Sequence, residues 1–558
     1  MASQMPPPAA WDLATISVTC ESDALSGKPG AGDMLELSGG GSLSISGDAL
    51  VYREGIKQAE KRGRGSLCGI GGSGAPQSKT IPLYNILFAD TTDGSIHINY
   101  ADQTSPTRIV VTKLRVPLPY SDAPTSADTV ATSFIDRLLS LSYGPAKLKK
   151  RAYVLVNPHA GPGGAEGIWQ REVEPVFQAA HMDLTVVHTK YSGEAVKLVE
   201  ELDDLTTYDT VIPCSGDGLP HEVFNGMANR RDARMVLGTV SVSHIPCGSG
   251  NAMSCNLYGT HRPGLAALAI VKGVVTPMDL VSITQGDRRT ISFLSQALGI
   301  VAESDLATEH LRWMGEQRFT YGFVSRIFGK KTYPCDLAVK VAVEGKDGVR
   351  AHYKRERSEE AVNKLVAGTG SESGGSRVAA GCEASGAESE LPSPYESDEA
   401  DGEGLPRLRY GTIQDELPAG WEMARHDNMG NFYCGNMAYM APDANFFSAA
   451  LASDGYMDLV CVDGDISPAA SLKLMLSVES GHFFDNPLVS YRKIEAFRII
   501  PRDQDDGYIS IDGERVPFEP FQAEVHRGLG RVLSKRGGFE APGPRDWDSV
   551  SRGERLRA

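Results

Sequence analysis

Residues 211–226, "VIPCSGDGLPHEVFNG", hold one carboxylate, Asp217, between two glycines at the end of an apolar run. Glycine has no side chain to keep the backbone from a ligand. A tight turn leading into a helix also directs unpaired N–H groups at an anion. A carboxylate there can cap the helix, or accept a proton from a hydroxyl brought within hydrogen-bond reach. His221 and Glu222 follow in the first helical turn, where His221 is expected as a core or capping residue. Pro220 suits the start of the helix, whereas Pro213 must lie near the end of its strand or on an edge.

Two other stretches have the same form. "VLVNPHAGPGGAEG" runs from an apolar strand into a glycine-rich turn, and "IPCGSGNAMSCNL" places Gly248, Ser249, Gly250 and Asn251 between a strand and a helix. Neither carries G-x-x-x-x-G-K-[ST] or G-x-G-x-x-G. Three such turns at successive strand ends can line one crevice, as in open α/β sheets. That conjunction is far more specific than any one turn.

The elements that must hold these turns lie between 149 and 279, where short apolar strands alternate with helical patterns ("RAYVLVNP", "GIWQREVEPVFQAAH", "LTVVHTK", "GEAVKLVEELDDL"), the mark of a parallel sheet. Residues 1–148 read as a β-rich extension with mobile loops, and 280–530 as mostly strands. A polar, acidic insert at 355–405 is too poor in apolar residues to order itself. Residues 531–558 read as a loose tail. Ser393 precedes Pro394 inside the insert, so we expect a regulatory role there.

The 558 residues carry a net charge of -16, which argues against nucleic acid as a partner. "EKRGRG" at 60–65 and "KLKKR" at 147–151 are each either solvated charge or a local membrane contact. Nine cysteines without a C-x-x-C pair indicate neither a disulfide framework nor a zinc site. The sequence shows no signal peptide and no apolar run near the ~20 residues of a membrane span, which suits a cytoplasmic protein.

"VNPHAGPGGA", "SGDGLPHEVFNG" and "PCGSGNAMS" resemble the nucleotide-binding signatures of the diacylglycerol kinase catalytic-domain superfamily. The serine of "SGDG" is similar to sphingosine (sphingoid long-chain-base) kinases, and the extension and insert look fungal or plant. "GIVAESDLATEHLRWMGEQRFTYG" resembles that group's lipid-site segment and "ISIDGERV" its late D-G-E motif. The resemblance implies an α/β fold: a three-layer, phosphofructokinase-like nucleotide domain and a C-terminal β-sandwich for lipid. It implies ATP with Mg²⁺, metal ligands unassigned. Asn157, Pro158, His159, Thr189, Ser215, Gly216, Gly218, Glu222, the Gly248–Asn251 turn, Arg312, Arg318, Gly513 and Glu514 would meet the nucleotide. Asp217 would be the catalytic base, and Asp305, with Ser295, would meet the lipid headgroup. Cys247 departs from the usual alanine or glycine.

The expected activity is ATP-dependent phosphorylation of the primary hydroxyl of a sphingoid base at an intracellular membrane contacted peripherally, with a homodimer left open. Ceramide or diacylglycerol phosphorylation, or an inactive lipid or nucleotide sensor, stay open as alternatives. Without the resemblance, Arg312 and Arg318 would read as a salt-bridged surface helix and Asp305 as a surface acid or cap.

Overall fold

The computed structural model describes residues 33–55, 77–119, 124–161, 164–307, 331–369 and 403–545. The chain divides into two compact units, residues 1–83, 89–97 and 115–141 forming one and residues 84–88, 98–114 and 142–558 the other.

The first unit contains a four-stranded antiparallel sheet, Met34–Glu36, Ser42–Ser46, Ala49–Arg53 and Ser78–Pro82, paired in chain order. Leu43, Leu50 and Ile81 alternate with less buried residues and bury one face. The β-rich reading missed one element, a helix over Pro124–Tyr143. Ala131, Phe134, Ile135 and Leu138 are among its buried positions, at the spacing of one helical face.

In the second unit, four parallel neighbours run in the order Asp183–His188, Arg151–Val156, Thr210–Ser215, and the two short pieces Ser241–Val242 and Ile245–Pro246. Residues 152–156 and 210–215 are wholly buried, as strands covered on both faces must be. Pro213 therefore lies in an interior strand, not on an edge. Val211 O accepts from Ser243 N and Ser215 O from Cys247 N, so the odd residues face the neighbouring strand. That neighbour is interrupted between Val242 and Ile245, and the missing Pro213 N–H falls at the gap, where no ladder bond is lost.

The strand Phe521–Ser534 continues this sheet. Its Val532 pairs in parallel with Val242, and most of its length pairs antiparallel with Val274–Gln285. Antiparallel strands extend from there and enclose a core containing Phe432, Phe497 and Phe521, with successive ring centroids 4.9 and 5.5 Å apart. Burying each such ring stabilises the fold by about 1.5–3 kcal/mol.

Three sequence expectations change here. The tail does not loosen at 531: residues 531–534 complete that strand, and Phe539 and Ala541 are buried. The insert does not begin at 355, because a helix spans Gly345–Thr369. Its early turns carry Val349, His352 and Tyr353 into the interior, anchoring a segment whose average composition is polar. Residues 403–405 are described as well, and Glu403 O accepts from Arg234 N. Residues 370–402, including Ser393, lie outside the described residues. Nor is "KLKKR" a free basic patch. Lys147 pairs with Asp209 at 2.7 Å, and buried Lys150 donates to Val271 O at 2.7 Å, burial pushing its pKa down to about 8. "EKRGRG" lies outside the described residues.

Candidate active site

All three glycine-bearing turns leave the carboxyl ends of the parallel strands and meet there. The contacts leave no room for side chains. A Cβ on Gly161 would lie 2.4 Å from Cys247 O, and one on Gly248 would lie 2.4 Å from Gly216 Cα. Gly161 also has φ +57°, a conformation glycine adopts without strain. Asn251 takes the same left-handed region at φ 54° and closes its own turn, its Oδ1 accepting from Gly248 N at 2.9 Å while its Nδ2 donates to Gly248 O at 2.7 Å. In the first turn Asn157 Oδ1 accepts from His159 N at 3.0 Å.

Asp217 precedes the helix Gly218–Ala228 but does not cap it. Its carboxylate crosses to the third turn instead, Oδ2 accepting from Ala252 N at 2.9 Å and Oδ1 from Met253 N at 3.1 Å. The capping reading therefore holds for a different helix, Ala252–Tyr258. A carboxylate oxygen can accept from more than one donor, so these two bonds fix its orientation and leave acceptor positions over.

One cavity of about 690 Å³ joins these turns to the strand-rich half. At the turn end it is lined by Asn157, His159, Thr189, Ser215, Gly216 and Asp217, and by Gly218, Glu222, Gly248, Ser249 and Gly250. Pro158 and Asn251 are not among its lining residues; both shape their turns. Glu222 gives both oxygens to backbone, accepting from Gly193 N at 2.9 Å and Ala195 N at 3.1 Å. It thus fastens the loop after Thr189, and burial raises its pKa.

Gly513 and Glu514 reach the same cavity from the late motif. Glu514 Oε1 lies 2.9 Å from where a Gly218 Cβ would be, against the turn carrying Asp217. Asp512 is buried, accepting from Phe293 N, Leu294 N and Ser295 N at 3.0, 3.0 and 2.9 Å and from Ser292 Oγ. Asp305 lines the wall beside Gly513, whose added Cβ would sit 3.8 Å from Asp305 Oδ2. Ser295 also lines the cavity. Arg312 and Arg318 lie outside the described residues.

Beyond Asp305 the lining turns apolar, with Val301, Phe446, Leu474, Val478 and Phe483. Of these, only Val301 falls in the lipid-site segment that the sequence resemblance marked; the others were not named. Leu474 and Val478 lie one helical turn apart in Pro468–Glu479, a spacing that could have exposed one face of that helix. Tyr433 was missed too: it lines the cavity at Ser295, and burial raises its pKa.

Comparison with known proteins decides the family. Residues 151–283 match the diacylglycerol kinase catalytic domain. Sphingoid long chain base kinase 4 of Schizosaccharomyces pombe is 32% identical, over 85% of this chain and 92% of its own length. The chain belongs to the sphingoid long-chain-base kinase family. As a family member it is a phosphotransferase. Sphingoid long chain base kinase 5 of Saccharomyces cerevisiae is also 32% identical, over 73% of this chain, which spans only 62% of that relative. Residues 33–144 match a domain of unknown function (DUF7493). A solved diacylglycerol kinase from Bacillus anthracis aligns at 16% identity with a TM-score of 0.40, over 69% of this chain and 97% of that one.

Proposed function

We propose that this family member transfers the γ-phosphate of ATP to the primary hydroxyl of a sphingoid long-chain base. The observation that carries the reading is a single cavity with three parts: glycine turns with exposed backbone at one end, an apolar wall at the other, and Asp217 and Asp305 between them. Phosphoryl transfer asks a protein mainly for positioning and charge neutralisation. Backbone N–H groups of the turns cradle the triphosphate. Asp217, held by Ala252 N and Met253 N, accepts the hydroxyl proton as the alcohol attacks. Asp305 meets the ammonium of the base, a charge-assisted contact worth about 1.5–3 kcal/mol. That contact favours an amino-alcohol over a neutral diacylglycerol.

Mg²⁺ accompanying ATP takes phosphate oxygens and only one or two protein carboxylates. The described residues contain no cluster of three potential ligands, and Glu514, beside the Asp217 turn, suits such a site. When bound, the ion neutralises phosphate charge.

The apolar wall includes one face of Pro468–Glu479, while Leu472 and Leu476 on the same helix are 44% and 51% exposed. No helix among the described residues is long and apolar enough to cross a membrane. We read this helix as the peripheral contact with the bilayer that supplies the lipid.

The test is a panel of sphingosine, phytosphingosine, ceramide and diacylglycerol with labelled ATP, run on the wild type and Asp217→Asn. We expect sphingoid bases to be phosphorylated by the wild type only, with nucleotide affinity nearly equal in both. The amide has one oxygen and so cannot accept from both Ala252 N and Met253 N, and about 1 kcal/mol of stability is expected to be lost. Phosphorylation of diacylglycerol alone would reverse the substrate assignment; full activity in Asp217→Asn would remove the base.

A further inference from the structure

We propose that His244 is a positioning residue for Asp217, a buried imidazole that must stay neutral for that carboxylate to accept the substrate proton. The inference rests on the reading of Asp217 as the base. His244 occupies the strand interruption opposite Pro213, and its side chain has no exposed surface. Its backbone N donates to Tyr258 Oη at 3.2 Å, so that hydroxyl is engaged with the main chain.

The ring nitrogens have different tasks. Nε2 lies 2.9 Å from Ser215 O. A carbonyl oxygen only accepts, so Nε2 carries the hydrogen. In the neutral ring Nδ1 is then a bare lone pair. It is buried without a hydrogen-bond partner among the described residues and lies 3.9 Å from Asp217 Oδ1. That is too long for a hydrogen bond but short enough for each group to govern the other's charge. Leaving a buried polar atom unpaired carries a cost that packing alone would not require.

Geometry divides the carboxylate between two tasks. Oδ1 lies on the His244 side, whereas Oδ2 sits 3.0 Å from where a Gly250 Cβ would be, on the cavity wall. A neutral His244 turns a lone pair towards the carboxylate and gives Asp217 no ion-pair partner on that side. A protonated His244 is an ion-pair partner, and Asp217 then ceases to accept. In the active state His244 stays neutral. The alcohol O–H proton goes to Asp217, the alcohol oxygen bonds to the γ-phosphorus, and the bond from that phosphorus to the β–γ bridging oxygen breaks with its electrons leaving on ADP. Burial depresses the ring's proton affinity, Asp217 and the Ser215 carbonyl opposing that effect.

The experiment measures kcat/KM against pH for the wild type, His244→Phe and His244→Gln, with thermal melting and ATP affinity as controls. Glutamine keeps a donor for Ser215 O and does not titrate, so it serves where phenylalanine fails to fold. In the wild type the acid limb should approach about a hundred-fold fall per pH unit, for two coupled protonations. In either variant it should flatten to about ten-fold. An unchanged acid limb in a folded variant overturns the proposal, as does complete loss of transfer with ATP affinity intact. A readout independent of substrate is the His244 imidazole titration by NMR, which should shift to lower pH in Asp217→Asn. No shift there overturns the coupling even if the lipid assignment stands; a shift in an enzyme inert towards sphingoid bases leaves the pair intact and removes only the substrate reading.

Discussion

His221 Nδ1 and Asp512 Oδ2 lie 2.8 Å apart although 291 residues separate them in the chain. The pair joins the helix after the Asp217 turn to the late motif. Asp512 also receives the backbone N–H groups of Phe293, Leu294 and Ser295, so one buried carboxylate fixes both the late motif and the Ser295 wall of the cavity. Replacing Asp512 with alanine removes the partner of all these groups. We expect a loss of about 3–5 kcal/mol, the scale for breaking a buried ionic pair, read by urea unfolding. His221→Ala leaves Asp512 its backbone donors and should cost less, about 1–3 kcal/mol. Equal costs would contradict this division.

The same pair predicts a pH dependence. Burial alone would lower the His221 pKa, but the hydrogen bond and charge of Asp512, with help from Glu514 and Glu222, raise it above the ordinary value of 6.5. A base whose folded pKa is raised binds its proton more readily when folded. Its contribution to stability is therefore complete below about pH 6.5 and is lost as pH rises through the folded value. Chemical denaturation from pH 6 to 9 should show this decline in the wild type. It should be smaller in His221→Ala.

Close packing of the turns yields a third expectation. Gly248→Ala would drive a methyl against Gly216 Cα at 2.4 Å, backbone against backbone, and neither turn can yield without displacing Asp217. We expect ATP affinity to fall at least ten-fold and the protein to lose about 1–3 kcal/mol of stability. Gly238→Ala, whose added Cβ meets nothing within 4 Å and which does not line the cavity, is the control. It should leave ATP affinity unaltered.

The turns were legible because their signal is local. Glycines, a proline and one acid within a few residues specify a strand–turn–helix unit wherever the chain goes. Thr189 and the late motif were legible only through resemblance, since nothing near Gly513 shows that it returns to a strand end far away in sequence. The roles of individual residues were less legible. Glu222 suits a ligand contact by position, yet its oxygens hold Gly193 and Ala195. Asp217 caps a helix that begins 35 residues later, a relation that no local pattern encodes. The apolar wall was missed because Phe446, Leu474 and Phe483 are ordinary core residues by type. Only packing shows that they border a cavity. Composition misjudged residues 355–369, which continue a helix anchored by the buried Val349, His352 and Tyr353, and 531–545, where Phe539 is buried.

The helix Pro468–Glu479 supplies the last prediction. A surface helix normally turns polar residues outward, yet this one lines the cavity with Leu474 and Val478 and exposes Leu472 and Leu476 one turn apart, with exposed Lys473 between them. If that outer face rests on the bilayer, replacing both leucines with serine should weaken binding to phosphatidylcholine–phosphatidylserine vesicles about ten-fold or more, since each buried leucine contributes about 1.5–3 kcal/mol. The double variant should raise the apparent KM for sphingosine presented in vesicles and leave the KM for ATP unchanged. With sphingosine delivered in detergent micelles the two proteins should be nearly equal, because the cavity wall is untouched. Equal vesicle binding by wild type and double variant would assign the membrane contact to another surface.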